Sequence, residues 1–160
     1  MWENKIQVKK GNIGEELVLK FLEEQGYIVY KPITNSAHCF DNLAIKDKRT
    51  AIIAEIKTKA RMTYIEATGF DYRYYKEYKF ISEKYKLPIF IFFVDEHLKE
   101  IYGNWLSLLE KEVDGFPRKI SNDKIILFSL KNMILISKLS VDKCEELKKL
   151  STRNYDYKGI

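Results

Sequence analysis

The stretch "LPIFIFFVD", Leu87 to Asp95, constrains the fold more than any other part of the sequence. Alternate side chains of a strand point to opposite faces, so a strand wetted on one side alternates apolar with polar residues. This one does not alternate. It predicts a central strand buried on both faces, and such a strand needs a layer packed against each side of its sheet.

The flanking segments supply those layers. Ile13, Leu17, Val18, Phe21 and Leu22 recur at helical spacing and predict a helix from about Gly11 to Gln25, with Gly26 as its stop. "YIVYKP" reads as a short strand ended by Pro32, and "ITNSAHCF" as a polar loop. "DNLAIKDKRTAIIAEIKTKA" reads as two strands joined through the charged turn "KDKR". Phe70, Tyr74, Tyr78, Ile81 and Tyr85 predict a second helix over Phe70 to Tyr85.

After "LPIFIFFVD", the segment "KEIYG" suits an edge strand, and a helix capped by Asn104 runs to about Glu112. "KIILFSL" and "MILISKL" suit a tight hairpin through Lys131 and Asn132, and Ser140 caps a last helix before the polar tail "STRNYDYKGI". The order αβββαβ, with mixed elements after it, predicts an α/β fold with a central mixed sheet flanked by helices, plus a C-terminal β-hairpin and helix.

The 160 residues suit one domain, with a core over about 1–100 and a C-terminal addition over about 101–160. No apolar run reaches the roughly 18 residues that cross a bilayer. The start "MWENKIQVKK" lacks a secretory signal, so a cytoplasmic location is expected. Cys39 and Cys144 are far apart and without metal-ligand spacing, which argues against a disulfide framework or a zinc site. The net charge of +5 fits a polyanionic partner without requiring one.

The informative residues are charges in places that read as core. Glu55, Lys57 and Lys59 follow the apolar run "AIIA" and share one face of their strand. An edge strand with a solvated face is the plain alternative, but "AIIA" begins as a central strand does. If the strands form a hairpin around "KDKR", Asp41 at the start of one lies beside Glu55 and Lys57 near the end of the other. On a wheel of about 100° per residue, Glu15 is the glutamate of the first helix that lies among Val18, Leu19 and Leu22. Carboxylates that converge with a lysine suit phosphodiester hydrolysis. Hard Mg²⁺ takes oxygen ligands, and the ion polarises the phosphate and acidifies a bound water.

The ordered set "GNIGE" on a helix, Asp41 opening a strand in "FDNLAI", and "AEIKTK" after an apolar run resembles the PD-(D/E)XK nuclease superfamily, particularly its small Holliday-junction-resolvase-like members. The resemblance runs through about the first 95 residues, and Phe40 stands where a proline often precedes the aspartate. It implies a restriction-endonuclease-like core and a Mg²⁺-dependent deoxyribonuclease in which Mn²⁺ can substitute. Asp41 and Glu55 would be the metal ligands, with the Ile56 carbonyl a third and Glu15 acting directly or through water. Lys57 would be the catalytic lysine. DNA is the implied partner, a homodimer the common assembly, and repair, recombination or mobile-element biology the setting.

In such nucleases the second helix borders the site, so Tyr72, Tyr75 and Lys79 are candidate DNA contacts, as is Lys59. Arg61 and Arg73 are candidate phosphate contacts with a solvated surface as the alternative, and His38 and His97 are weaker candidates. Asp95 and Glu96 are expected to face solvent. The alternative function is a catalytically inactive relative that binds nucleic acid or assembles a complex.

Overall fold

The computed structural model describes residues 5–33 and 40–150, so His38, Cys39 and the tail from Ser151 lie outside the described residues. The elements are α1 (Ile6–Glu24), β1 (Ile28–Tyr30), β2 (Asn42–Asp47), β3 (Thr50–Thr58), β4 (Ala67–Asp71), α2 (Tyr72–Tyr85), β5 (Ile89–Asp95), β6 (Glu100–Trp105), α3 (Leu106–Leu109), β7 (Arg118–Ile120), β8 (Ile125–Ser129), β9 (Ile134–Lys138) and α4 (Val141–Lys149). A six-stranded mixed sheet has the order β1-β2-β3-β5-β6-β9, in which only β3 and β5 run parallel. A second, antiparallel sheet has the order β4-β8-β7.

The unalternating run is β5, buried along its whole length. Its even-numbered residues Phe90, Phe92 and Val94 join Ile52, Ala54 and Ile56 of β3 beneath Ile13, Val18 and Leu22 of α1. Its odd-numbered residues Ile89, Ile91 and Phe93 join Ile53 of β3 against Tyr78 and Ile81 of α2 and Phe70 and Phe128 of the second sheet. The sheet is therefore covered on both faces, as the run requires. Gly14 lets α1 settle on β3, because a Cβ there would stand 1.8 Å from Thr58 Oγ1. Gly26, at φ +85°, takes the left-handed turn that ends the helix.

Four expectations are corrected. The helix expected from Phe70 begins at Tyr72, because Ala67–Asp71 pairs with β8 as a strand and Phe70 lies opposite Ile126. β6 is an interior strand, with β5 on one side and β9 on the other. The helix expected over Asn104 to Glu112 is the single turn α3. Asn104 belongs to β6, where its amide accepts from Trp105 N and donates to the Asn132 carbonyl.

The expected C-terminal hairpin also separates. A 3₁₀ turn over Leu130–Asn132 sends β9 to the main sheet, while β8 finds β4 and β7 on its two edges. With both edges filled, β8 has no room for β9. Ser140 does cap α4, its hydroxyl accepting from Lys143 N.

Candidate active site

Antiparallel pairing of β2 with β3 ends at Asn42 opposite Ala54. Beyond that point β3 continues beside β5 with its other edge open. The N–H groups of Ile53 and Lys59 point to the β5 side, at Pro88 and Val94. Alternation then turns the Ile56 N–H, and the Ile56 carbonyl with it, to the open edge. There Asp41 takes the place of a strand: its Oδ2 accepts from Ile56 N at 2.8 Å, and its own N–H donates to Glu55 Oε2 at 3.1 Å.

Glu55 is only 2% exposed. Its Oε1 accepts from Lys57 Nζ at 2.5 Å and from the Tyr78 hydroxyl, and Lys57 Nζ also donates to Tyr78 Oη at 3.0 Å. The Lys57 ammonium lies 5.5, 5.1 and 5.4 Å from the ring centres of Phe70, Tyr74 and Tyr78, which hold it by cation–π attraction. Burial and the charge of Glu55 push the Tyr78 phenol well above its ordinary range, so it stays a donor.

Asp41 carries the imbalance of the site. Burial first, and then the negative charge of Glu55, push its carboxyl up to about 7. The Ile56 N–H and Lys57 oppose this, and Glu15 adds to it. Glu15 arrives from α1 and is ion-paired with Lys31.

Asp41, from the lead-in to β2, thus meets Glu55 and Lys57 of β3 at one corner, while Glu15 of α1 reaches it only through its charge on Asp41. They do not form a cluster of three ligating side chains: among the described residues, no three His, Cys, Asp or Glu side chains are grouped to hold a metal ion. Two carboxylates and the carbonyl edge at Ile56 remain as oxygen donors. They fit a hard divalent cation that keeps several waters, because the added charge relieves the repulsion felt by Asp41.

The candidate DNA contacts have partners within the molecule. Lys59 Nζ donates to the Gly69 carbonyl at 2.6 Å. Tyr72 and Tyr75 stack at 5.6 Å. Tyr75 donates to Glu110 at 2.6 Å, and Lys79 pairs with the same carboxylate at 3.1 Å. Burial and Glu110 push the Tyr75 phenol up to about 12.

Arg73 lies over Tyr74, whose ring also receives Lys57. Arg61 is not solvated: it pairs with Asp95 at 2.9 Å and Glu100 at 3.2 Å. Asp95 and Glu96 do not face solvent either, being 0% and 1% exposed, and Glu96 pairs with Lys10 at 2.6 Å. His97 donates its backbone N–H to Asp95, and burial lowers the pKa of its imidazole.

Sequence reasoning missed Tyr78, Tyr74 and Lys31 as members of the corner. Tyr78 and Tyr74 lie in the apolar stripe of α2, where an aromatic reads as packing. No pattern links Lys31, at the end of a short strand, to Glu15.

With its mixed sheet covered on both faces, the chain has a restriction-endonuclease-like fold. Among solved structures, the chain is similar to Hjc, a Holliday junction resolvase of the archaeal hyperthermophile Archaeoglobus fulgidus. The TM-score is 0.54 at 13% identity, over 77% of this chain and 86% of that one. The likeness is one of fold. No family model and no curated protein matches the sequence.

Proposed function

We propose that the chain is a metal-dependent nuclease that hydrolyses DNA phosphodiester bonds, with branched DNA as its substrate class. The observation that carries this reading is the meeting of Asp41, Glu55 and Lys57 at the open edge of β3, where Asp41 is bonded to the backbone of Ile56. The fold shared with a Holliday junction resolvase supports the choice of branched DNA.

Asp41, Glu55 and the Ile56 carbonyl would hold Mg²⁺ or Mn²⁺, with Glu15 completing the site through water. When bound, the ion polarises the scissile phosphate and acidifies a water. Lys57 is the catalytic lysine: its ammonium, seated between Glu55 and the rings of Tyr74 and Tyr78, orients the attacking water and offsets charge on the phosphorus centre. Tyr78 positions Glu55 and Lys57 together.

The test is a cleavage panel of four-way junction, flap, linear duplex, single strand and RNA, in Mg²⁺, Mn²⁺ and EDTA. The reading expects metal-dependent cleavage of branched DNA that Glu55→Gln and Lys57→Met abolish while the fold persists. Intact DNA throughout the panel, with Lys57→Met altering affinity alone, would instead identify a nucleic-acid-binding relative without catalysis.

A further inference from the structure

Next to Asp41 in the chain stands a residue whose chemistry is unspent. Asn42 is 0% exposed, and neither its Oδ1 nor its Nδ2 has a hydrogen-bond partner among the described residues. An amide can accept two hydrogen bonds and donate two, and each buried unsatisfied group costs about 1–3 kcal/mol. Thr58 Oγ1 and Thr68 Oγ1 are also buried without a partner among the described residues, but each is a single hydroxyl. The longer side chains are satisfied locally at Asp47, which accepts from Arg49 N and Thr50 N, and at Asn104, which accepts from Trp105 N. Asn42 makes no such turn or cap.

Its place explains what could satisfy it. Asn42 is opposite Ala54, at the last paired position before the open edge. Cross-strand partners share a face, so its side chain lies on the face of Ala54, beneath α1. Ala54 offers only a methyl there. On the same face α1 closes on β3 at Gly14, and Glu15 follows in the chain. The amide thus lies on the α1 face, the side from which Glu15 comes, one residue along the chain from Asp41.

We propose that Asn42 is a positioning residue for the cation: its amide holds a water of the hydration shell of a divalent ion seated at Asp41 and Glu55, and so links Glu15 to that shell. This rests on the nuclease reading above. Cation-bound waters are strong donors, which suits Oδ1, while Nδ2 is a donor for the Glu15 carboxylate or for a second water. An apolar residue at this position would pack without the unsatisfied groups, so the amide is a cost that the hydrated ion offsets.

Two measurements test this. In the first, the side-chain ¹⁵N amide resonance of Asn42 in the wild type is followed during titration with Mg²⁺, and it should shift until the site saturates. In the second, Asn42→Val is compared with wild type by melting in EDTA and by Mn²⁺ binding read from the electron paramagnetic resonance of free Mn²⁺. The variant should melt at a higher temperature without metal, yet need roughly tenfold more Mn²⁺ for half-saturation.

An Asn42 amide unmoved by saturating Mg²⁺, unchanged Mn²⁺ affinity in the variant, or a lower melting temperature in EDTA would each overturn the proposal. If the variant fails to fold, the wild-type titration decides alone. A wild type that binds no Mn²⁺ would overturn the nuclease reading and this one together, whereas a variant that binds as tightly as wild type overturns only this one.

Discussion

Two charged clusters lie along the main sheet, and they use the same residue types to different ends. At the C-terminal end of β5, Asp95 is paired with Arg61, Glu96 with Lys10, and Arg61 again with Glu100. Asp95 also caps the turn by accepting from His97 N and Leu98 N. Each acid there has a base in contact. At the open edge of β3, Lys57 is shared between Glu55 and Tyr78, Asp41 accepts from the backbone of Ile56, and the Asn42 side chain has no partner among the described residues. The first cluster closes on itself. The second is short of positive charge, and that shortage is what the proposed metal ion would offset.

The largest effect that separates the clusters is on cleavage. Lys57→Met or Glu55→Gln should lower the cleavage rate by roughly 10³-fold or more, on the scale of removing a transition-state donor. Arg61→Met should leave the cleavage rate of the folded protein within a few-fold of wild type. A rate collapse in Arg61→Met with no loss of fold would break the distinction between scaffold and site.

Stability should respond the other way. Arg61→Met leaves Asp95 buried without its partner and should cost about 3–5 kcal/mol in denaturant unfolding, because a buried charge is stranded. Wild-type stability in the variant would show that this cluster is not closed as described.

The pH dependence of the metal-free protein sharpens the contrast. The Asp41 carboxyl is raised from 3.8 to about 7, so between about pH 4 and pH 7 the folded protein holds a proton that the unfolded chain has released. The favourable contribution is complete below the unfolded pKa and is lost as pH rises through 7, on the order of 4 kcal/mol. Chemical denaturation in EDTA should therefore show lower stability at pH 8 than at pH 5, and Asp41→Asn should flatten that slope. A stability that instead rises with pH over this window, and that the variant leaves unchanged, would contradict the imbalance assigned to Asp41.

The smallest effect belongs to the surface. Lys79 pairs with Glu110 while half-exposed, so Lys79→Ala should change unfolding free energy by less than about 1 kcal/mol.

The parts of this design that can be read from sequence are those written in local periodicity. β5 declares itself by failing to alternate, and α1 by its apolar stripe and by Gly26. Glu55 and Lys57 are visible because a period of two places both on one face of a strand that begins as core. Asp41 follows once "KDKR" is read as a hairpin turn. What escapes is set by distant partners.

β4 is short, and its pairing strand β8 lies more than fifty residues on, so Phe70 reads as the start of α2. β8 and β9 look like a hairpin because nothing local reveals that β4 and β7 have already filled the edges of β8. Tyr78 packs like its neighbours along one side and bonds Glu55 with its hydroxyl, a role that appears only when α2 docks on β3. Nothing local singles out Asn42, whose full burial follows only once α1 lies across that face of the sheet.

The most direct test of the account is a crystal soaked in Mn²⁺ and examined by anomalous scattering, since both clusters are then offered the same ion. The account predicts a peak within coordination distance of Asp41, Glu55 and the Ile56 carbonyl, and none at Asp95 and Glu96. A peak at Asp95 and Glu96 with the β3 corner empty, or no peak at either, would contradict it.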